Sequence, residues 1–387
     1  MAYDKDLAFF FYCPTKIIYG ENSVNEVAVE VGELGCSKVF LVTDPGIVEV
    51  GLAGRVEKVL GNKLVGTFSG CCQDTGHHII NEAAGIAKDS GADCLVSVGG
   101  GSVMDTAKAV SILLKSGGQI QDYTGFQMLS EKQTPHVAIP TTAGTGSEVT
   151  SLAVIKDWER NQKQLLGSDY IIPDIAVLDP TMTAGLPPIL TATTGMDAMS
   201  HAVESISTWM CNPITDAAAL HAVRLIMENL PKCVEEGGDL VARGQQLLAS
   251  NLAGMAFGGP RVGLAHAIAH TMGGLYEVPH GMGNSIILPH VMMFNLDECP
   301  DRYAMIAHVM GLDTRGMSDM EAGEAAANAL WDLTKKMGVP QKLGEVGVPE
   351  DGLESIAEMT MSDAAIVNNP KTVVDPDEVL GVLKKAF

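Results

Sequence analysis

The first half of the chain alternates short, unbroken apolar runs with longer segments in which apolar residues recur every three or four positions. Lys38 to Thr43, Cys94 to Val98, His136 to Pro140 and Ile175 to Leu178 carry little polar alternation, the pattern of parallel strands covered on both faces. Between them, Ile79 to Asp89 and Val103 to Leu114 have helical periodicity, which predicts an α/β, doubly wound, Rossmann-like domain. After Asp179-Pro180 and Leu186-Pro187-Pro188 the texture changes. Long Ala-, Met- and Leu-rich segments such as Asp216 to Leu230 and Gln245 to Phe257, with few strand signals, predict an all-helical second domain. The boundary is expected between residues 181 and 187, giving domains of 1–184 and 185–387.

Composition narrows the class of partner. The 387 residues are 46% hydrophobic, ample for a core in each domain, and 25 Lys+Arg against 47 Asp+Glu leave a net charge of −22. That excess repels phosphate backbones and anionic membrane surfaces, so neither nucleic acid nor a membrane is an expected partner. No uncharged run approaches the ~18 residues of a membrane span. The start, Met-Ala-Tyr-Asp-Lys-Asp, lacks a basic region and a cleavage site, and does not read as a signal peptide. Eight cysteines without CxxC spacing are expected as reduced core thiols in a cytoplasmic protein. The 20 methionines are read as gap-filling core residues.

Two turns at strand ends carry candidate cofactor chemistry. The strand Cys94 to Val98 runs into Gly99-Gly100-Gly101-Ser102 and then a helix containing Asp105 and Lys108. Glycines let backbone approach a pyrophosphate, and the N–H groups of a new helix supply positive potential; the same turn also serves as a tight strand-to-helix connection. A second turn, Pro140-Thr141-Thr142-Ala143-Gly144-Thr145-Gly146-Ser147, again follows a strand. Two such turns point to a ligand at the carboxyl ends of an open sheet. Asp44 ends another strand, where its carboxylate would accept from ribose hydroxyls and repel a 2′-phosphate, favouring NAD over NADP, or would simply cap a turn with Pro45-Gly46.

The second half carries candidate metal chemistry. Asp197 and His201 lie four positions apart on a helix whose apolar stripe reads Met196, Met199, Val203, Ile206, Met210, and Glu204 lies close to the same side. His266 and His270 repeat the spacing, and His280 follows in Val278-Pro279-His280-Gly281, where a turn can swing its ring back. A carboxylate and imidazoles among apolar neighbours are costly to bury without compensation. One aspartate and three imidazoles suit a divalent transition ion with a position open for a substrate oxygen. Spacing alone leaves five candidates, with His270 as eligible as His266. Glu204 is either a partner of a ligand histidine or a helix-surface residue. The other histidines read as structural: His221 sits on the amphipathic helix Asp216 to Leu230, His290 follows a strand-like Ile286-Ile287-Leu288-Pro289, and His77, His78, His136 and His308 lack partners at ligand spacing.

Gly195-Met-Asp-Ala-Met-Ser-His-Ala-Val-Glu204, Ala265-His-Ala-Ile-Ala-His-Thr-Met-Gly-Gly274 and His280-Gly281 together resemble the iron-containing alcohol dehydrogenase family. So do Gly99-Gly-Gly-Ser-Val-Met-Asp-Thr-Ala-Lys108, Pro140-Thr-Thr-Ala-Gly-Thr-Gly-Ser-Glu148 and Val177-Leu-Asp-Pro180, so the resemblance spans nearly the whole chain. It is similar in particular to the branch acting on lactaldehyde, 1,3-propanediol, methanol and other short alcohols. The resemblance implies a dehydroquinate synthase-like two-domain architecture. It also implies NAD as cofactor, Fe²⁺ (with Zn²⁺ as alternative) held by Asp197, His201, His266 and His280, and a homodimer or larger homo-oligomer. It implies that His270 lies beside the nicotinamide instead of on the metal, that Thr141, Thr142 and Lys163 reach the dinucleotide, and that Phe257 lines the substrate pocket. One departure stands out: Gln73-Asp74-Thr75 replaces the Asn-Pro-Thr of many relatives.

The expected activity is therefore hydride transfer between a short-chain alcohol or diol and NAD(H), with His270 relaying the alcohol proton. The alternatives are a zinc, glycerol dehydrogenase-type polyol oxidoreductase and a dehydroquinate synthase-like lyase. The lyase would need convergent cations for a phosphorylated substrate, and residues 181 to 290 hold only Arg224, Lys232, Arg243 and Arg261. A structural metal clamp leaves the two nucleotide-type turns unexplained.

Overall fold

The computed structural model describes residues 7–159 and 162–387. The first six residues, read above as no signal peptide, lie outside them. The chain divides into two compact units, one of residues 13–186 and one of residues 187–387 together with residues 7–12. The expected boundary assigned residues 7–12 to the first domain; the structure groups them with the helical unit instead.

In the first unit the described strands are β1 (Lys16–Tyr19), β2 (Val39–Val42), β3 (Leu64–Phe68), β4 (Cys94–Gly99), β5 (Gly125–Phe126), β6 (His136–Pro140), β7 (Leu152–Asp157), β8 (Gln162–Gly167) and β9 (Ile175–Leu178). Six form a sheet in the order β1-β9-β6-β4-β2-β3, with every pairing parallel. The other three form a small sheet, β5-β8-β7, in which β7 and β8 are an antiparallel pair with Lys156 opposite Lys163.

The all-apolar runs form the central strands because both of their faces are covered. Phe40 and Val42 of β2 pack with Ile80 and Ala84 of α4 (His77–Asp89) and Val103 and Ala107 of α5 (Gly101–Ser116). Val39 and Leu41, pointing the opposite way, pack with Val27 and Val31 of α1 (Val27–Glu33) and with Val56 and Leu60 of α3 (Leu52–Leu60), the latter preceded by the short α2 (Pro45–Glu49). Setting β1 aside, the order 3-2-4-6-9 reverses direction between β2 and β4, the point where open α/β sheets hold ligands.

The second unit contains α6 (Pro188–Ser207), α7 (Pro213–Glu235), α8 (Leu240–Phe257), α9 (Leu264–Tyr276), α10 (His280–Asn295), α11 (Pro300–Val309), α12 (Asp319–Lys336), α13 (Leu353–Thr360) and α14 (Pro376–Ala386). Met196, Met199 and Val203 of α6 share one core with Val223 and Ile226 of α7, Ala253 of α8, Ile268 and Met272 of α9 and Ile287 of α10. Each large apolar side chain buried there contributes about 1.5–3 kcal/mol, which offsets the cost of the polar groups embedded among them. No described helix is long and apolar enough to cross a membrane.

Two expectations are corrected. Ile286 to Pro289 is not a strand: it lies inside α10, which carries Pro289 in its interior. A four-residue apolar run has no period of its own, so buried helix and buried strand look alike. Met210 is not part of the α6 stripe, because the helix stops at Ser207 with Thr208 extended, and Met210 is exposed.

Candidate active site

Helical spacing places Asp197 and His201 on one side of α6 and His266 and His270 on one side of α9. Ligand atoms of Asp197, His201 and His266 all lie within 4.8 Å of one another, and all three residues are buried. His280 enters from a different position than expected: it is the first residue of α10, not part of a turn. Its Nε2 is 3.4 Å from Asp197 Oδ1. That approach depends on Gly281, where a Cβ would overlap the backbone carbonyl oxygen of Thr193 on α6.

His266 Nε2 is 3.9 Å from the same Asp197 oxygen, and it is buried with no hydrogen-bond partner among the described residues. A buried nitrogen left this way costs about 1–3 kcal/mol unless another ligand satisfies it. A carboxylate and imidazole nitrogens converging on such a point fit a divalent transition ion.

The groups around these four are equally specific. Glu204, one turn beyond His201, accepts from Ala265 N (2.7 Å) through Oε1, and its Oε2 lies 2.5 Å from His266 Nδ1. It therefore closes the first turn of α9 and turns His266 Nε2 toward Asp197. Burial opposes the Glu204 charge, but the His266 hydrogen bond and charge and the backbone N–H groups of Gly263 and Ala265 carry its carboxyl below the ordinary range. Of the two readings left open for Glu204, the structure supports the histidine partner. Asn284 Nδ2 donates to Asp197 Oδ1 (2.8 Å) and lies 3.2 Å from His280 Nε2. The sequence reading missed it, although it sits four residues after His280 on the same helix face. Phe257 lies flat on the His201 ring, with centroids 4.2 Å apart and planes 15° apart. His270 stacks on His280 at 5.2 Å, and its Nδ1 is 3.0 Å from Asp363 Oδ2, a second residue the sequence reading missed.

In the first unit, Asp44, Gly99 to Ser102 and Thr141 to Thr145 follow the carboxyl ends of β2, β4 and β6, three adjacent strands. Gly100 caps α5, leaving the first N–H groups of that helix at the sheet edge. The two turns touch: a Cβ on Gly101 would sit 2.7 Å from Thr145 Cγ2, and Thr141 N donates to Gly99 O (3.0 Å). Thr145 Oγ1 also accepts from Ser147 N, and Ser102 Oγ accepts from Asp74 N at 3.4 Å. Asp44 Oδ1 accepts from Ile47 N (2.9 Å), the capping role, while no described hydrogen bond uses Oδ2.

Asp105 and Lys163 sit differently from the expected cofactor contacts. Asp105 Oδ1 accepts from Ser147 Oγ (2.7 Å) and Oδ2 from Val154 N (2.9 Å), so both oxygens tie α5 to the second turn and to β7. Beside it Lys108 is wholly buried, donating to Ser147 Oγ, Thr150 Oγ1 and Leu152 O, and burial pulls its pKa down to about 8. Lys163 on β8 is paired with Asp74 of the departing loop, Nζ to Oδ1 2.9 Å.

Comparison with known proteins resolves the class. Residues 14–180 match the iron-containing alcohol dehydrogenase model, and residues 191–387 match the C-terminal model of the Fe-containing alcohol dehydrogenase family. The chain belongs to the iron-containing alcohol dehydrogenases. It is 38% identical over 379 residues to an NAD-dependent methanol dehydrogenase of Bacillus methanolicus, covering 97% of this chain and 99% of that one. It is 37% identical to a 1,3-propanediol dehydrogenase of Klebsiella pneumoniae, covering 98% and 99%. The crystal structure of a 1,3-propanediol oxidoreductase superposes with a TM-score of 0.96 at 36% identity, over 98% of this chain and all of that one. A sulfoacetaldehyde reductase of Bifidobacterium kashiwanohense in complex with NAD+ superposes at 0.90 with 28% identity, over 98% and 99%. As an iron-containing alcohol dehydrogenase, the protein is a metal- and NAD-dependent oxidoreductase of small-molecule alcohols and aldehydes.

Proposed function

We propose that this dehydrogenase interconverts short-chain primary alcohols or diols and their aldehydes with NAD(H), its divalent ion, Fe²⁺, being held by Asp197, His201, His266 and His280. The observation that carries this reading is the buried His266 Nε2, without a described partner and turned by Glu204 toward Asp197. When bound, the ion supplies the Lewis acidity that lowers the pKa of an alcohol hydroxyl, and the nicotinamide supplies the hydride acceptor. His270, with 28% of its side chain exposed, would take the hydroxyl proton and pass it to solvent. Phe257 holds the His201 ring and presents an apolar edge to the substrate.

In the α/β unit the N–H groups at Gly100 to Ser102 and the hydroxyls of Thr141, Thr142 and Thr145 receive the dinucleotide phosphates. Asp44 Oδ2 receives a ribose, which favours NAD over a 2′-phosphorylated cofactor. The relatives named for methanol and 1,3-propanediol support a short substrate. Of the cations a phosphorylated substrate would call on, Arg224 pairs with Glu228, and Arg243 bonds Gly237 O and Thr191 Oγ1. Eight free cysteines support a cytoplasmic enzyme, and the family supports a homo-oligomer.

The test is NAD+ reduction over a panel of short alcohols and diols with protein loaded anaerobically with Fe²⁺ or Zn²⁺. Turnover with Fe²⁺ and short alcohols is expected. Polyol-selective turnover with Zn²⁺ alone would favour the glycerol dehydrogenase type, and none with either ion would overturn the reading.

A further inference from the structure

His270 is the group of this site whose chemistry depends on which ring nitrogen carries hydrogen, and one residue decides that. Asp363 lies 93 positions away in sequence and caps the short helical turn Ala364–Asn368. Its two oxygens have separate partners: Oδ1 accepts from Ala365 N at 2.8 Å, and Oδ2 lies 3.0 Å from His270 Nδ1. Its backbone is held on both sides, N donating to Thr360 O and O accepting from Ile366 N. The carboxylate is therefore fixed in place and cannot turn away from the imidazole without giving up a cap.

We infer that Asp363 is the positioning residue of His270, holding the ring with hydrogen on Nδ1 so that the bare Nε2 is the nitrogen offered to the alcohol proton. A carboxylate has only acceptor sites, so it admits the Nδ1–H form and rejects the other tautomer. The same bond fixes the ring plane, which lies 11° from that of His280. Burial alone would push the Asp363 carboxyl up, but the hydrogen bond and charge of His270 and the Ala365 N–H carry it below the ordinary range, so the acceptor stays ionised. The inference rests on the proton-transfer role proposed for His270.

Asp363→Asn separates orientation from architecture. The Asn oxygen can keep the cap on Ala365 N, but then its NH₂ faces His270 Nδ1 and donates to it, which moves the imidazole hydrogen to Nε2. Asp363→Ala removes both contacts. With the Zn²⁺-loaded, diamagnetic protein labelled with ¹⁵N-histidine, the His270 signals, assigned by their loss in His270→Ala, are expected to switch from the Nδ1–H to the Nε2–H pattern in Asp363→Asn. On the Fe²⁺-loaded enzyme, kcat is expected to fall roughly a hundredfold in both Asp363 variants, with KM for the alcohol and bound metal per chain nearly unchanged. An Asp363→Asn protein with the wild-type tautomer, or with wild-type kcat while Asp363→Ala is impaired, would overturn the inference and leave Asp363 as a cap only. His270→Ala keeps the two readings apart. Wild-type kcat in that variant would remove the proton-transfer role, and the ¹⁵N arm still decides what Asp363 does to the ring.

Discussion

The two units assemble polar groups by opposite means. In the α/β unit the groups at the strand ends are largely backbone, exposed by glycines that let the Gly99 to Ser102 and Thr141 to Thr145 turns touch. In the helical unit they are side chains of α6, α9 and α10 sunk into an apolar core, each held by another side chain. A site made of backbone is broken by adding atoms, whereas a site made of side chains is broken by removing them.

The largest effect tests an exception to that contrast, a histidine buried in the α/β unit. His136 on β6 is 2.8 Å from Ser97 Oγ, and burial, reinforced by the charges of Lys108 and Lys132, pushes its pKa down to about 3. Between that value and the ordinary one near 6.5 the unfolded chain binds a proton that the folded chain does not. Stability therefore rises with pH across this window and falls on acidification, by about 1.4 kcal/mol per unit from this group. Urea denaturation of the wild type and His136→Gln from pH 6.5 downward should show a shallower slope in the variant; equal slopes would place the acid sensitivity elsewhere.

Next comes removal of a charge behind a ligand. Glu204→Gln should weaken metal binding about 10- to 100-fold in competition with a chelator, with circular dichroism unchanged. Unaltered affinity would make Glu204 a cap for α9 and nothing more. The complementary addition is Gly101→Ala, whose methyl meets Thr145. The overlap should cost about 1–3 kcal/mol, read as a lower melting temperature and an NADH Kd raised about tenfold, while metal content stays at the wild-type value. If metal content falls with it, the contrast between the units fails.

Smallest is Asp74→Asn. Lys163 and Asp74 are partly exposed, and such pairs contribute below about 1 kcal/mol. Freed from Asp74, Lys163 should tighten NADH binding a few-fold by fluorescence titration. Weaker binding would show that the pair supports the turn by holding it together.

Much of this was legible in the sequence because it is local. The central strands β2, β4, β6 and β9 appear as unbroken apolar runs, and the four-residue spacings of Asp197–His201 and His266–His270 survive intact in α6 and α9. The edge strands β1 and β3 were not seen, since half-exposed positions break their apolar runs. Nor was the β7–β8 pair: β7 alternates between buried and half-exposed positions, whereas β8 passes from exposed to buried without a period. Contacts set by tertiary packing left no spacing to read. Asp363 meets His270 across 93 residues, and the Asp74–Lys163 pair forms only when β8 packs beside the departing loop. Asp105 was legible as a polar group at a candidate cofactor turn, yet its direction, inward to Ser147 and Val154, was not.

The spread of the four metal-side residues along the chain has a consequence for biogenesis. Asp197 and His201 leave the ribosome first, His266 follows with α9, and His280 comes last, at the opening residue of α10, which must settle against the Thr193 carbonyl through Gly281. An ion that needs all four is retained only after three helices have docked. Metal uptake during synthesis would thus mark the docking of α6, α9 and α10, before α11 to α14 have been made, and chains stalled before α10 would remain metal-free however much iron the cell supplies.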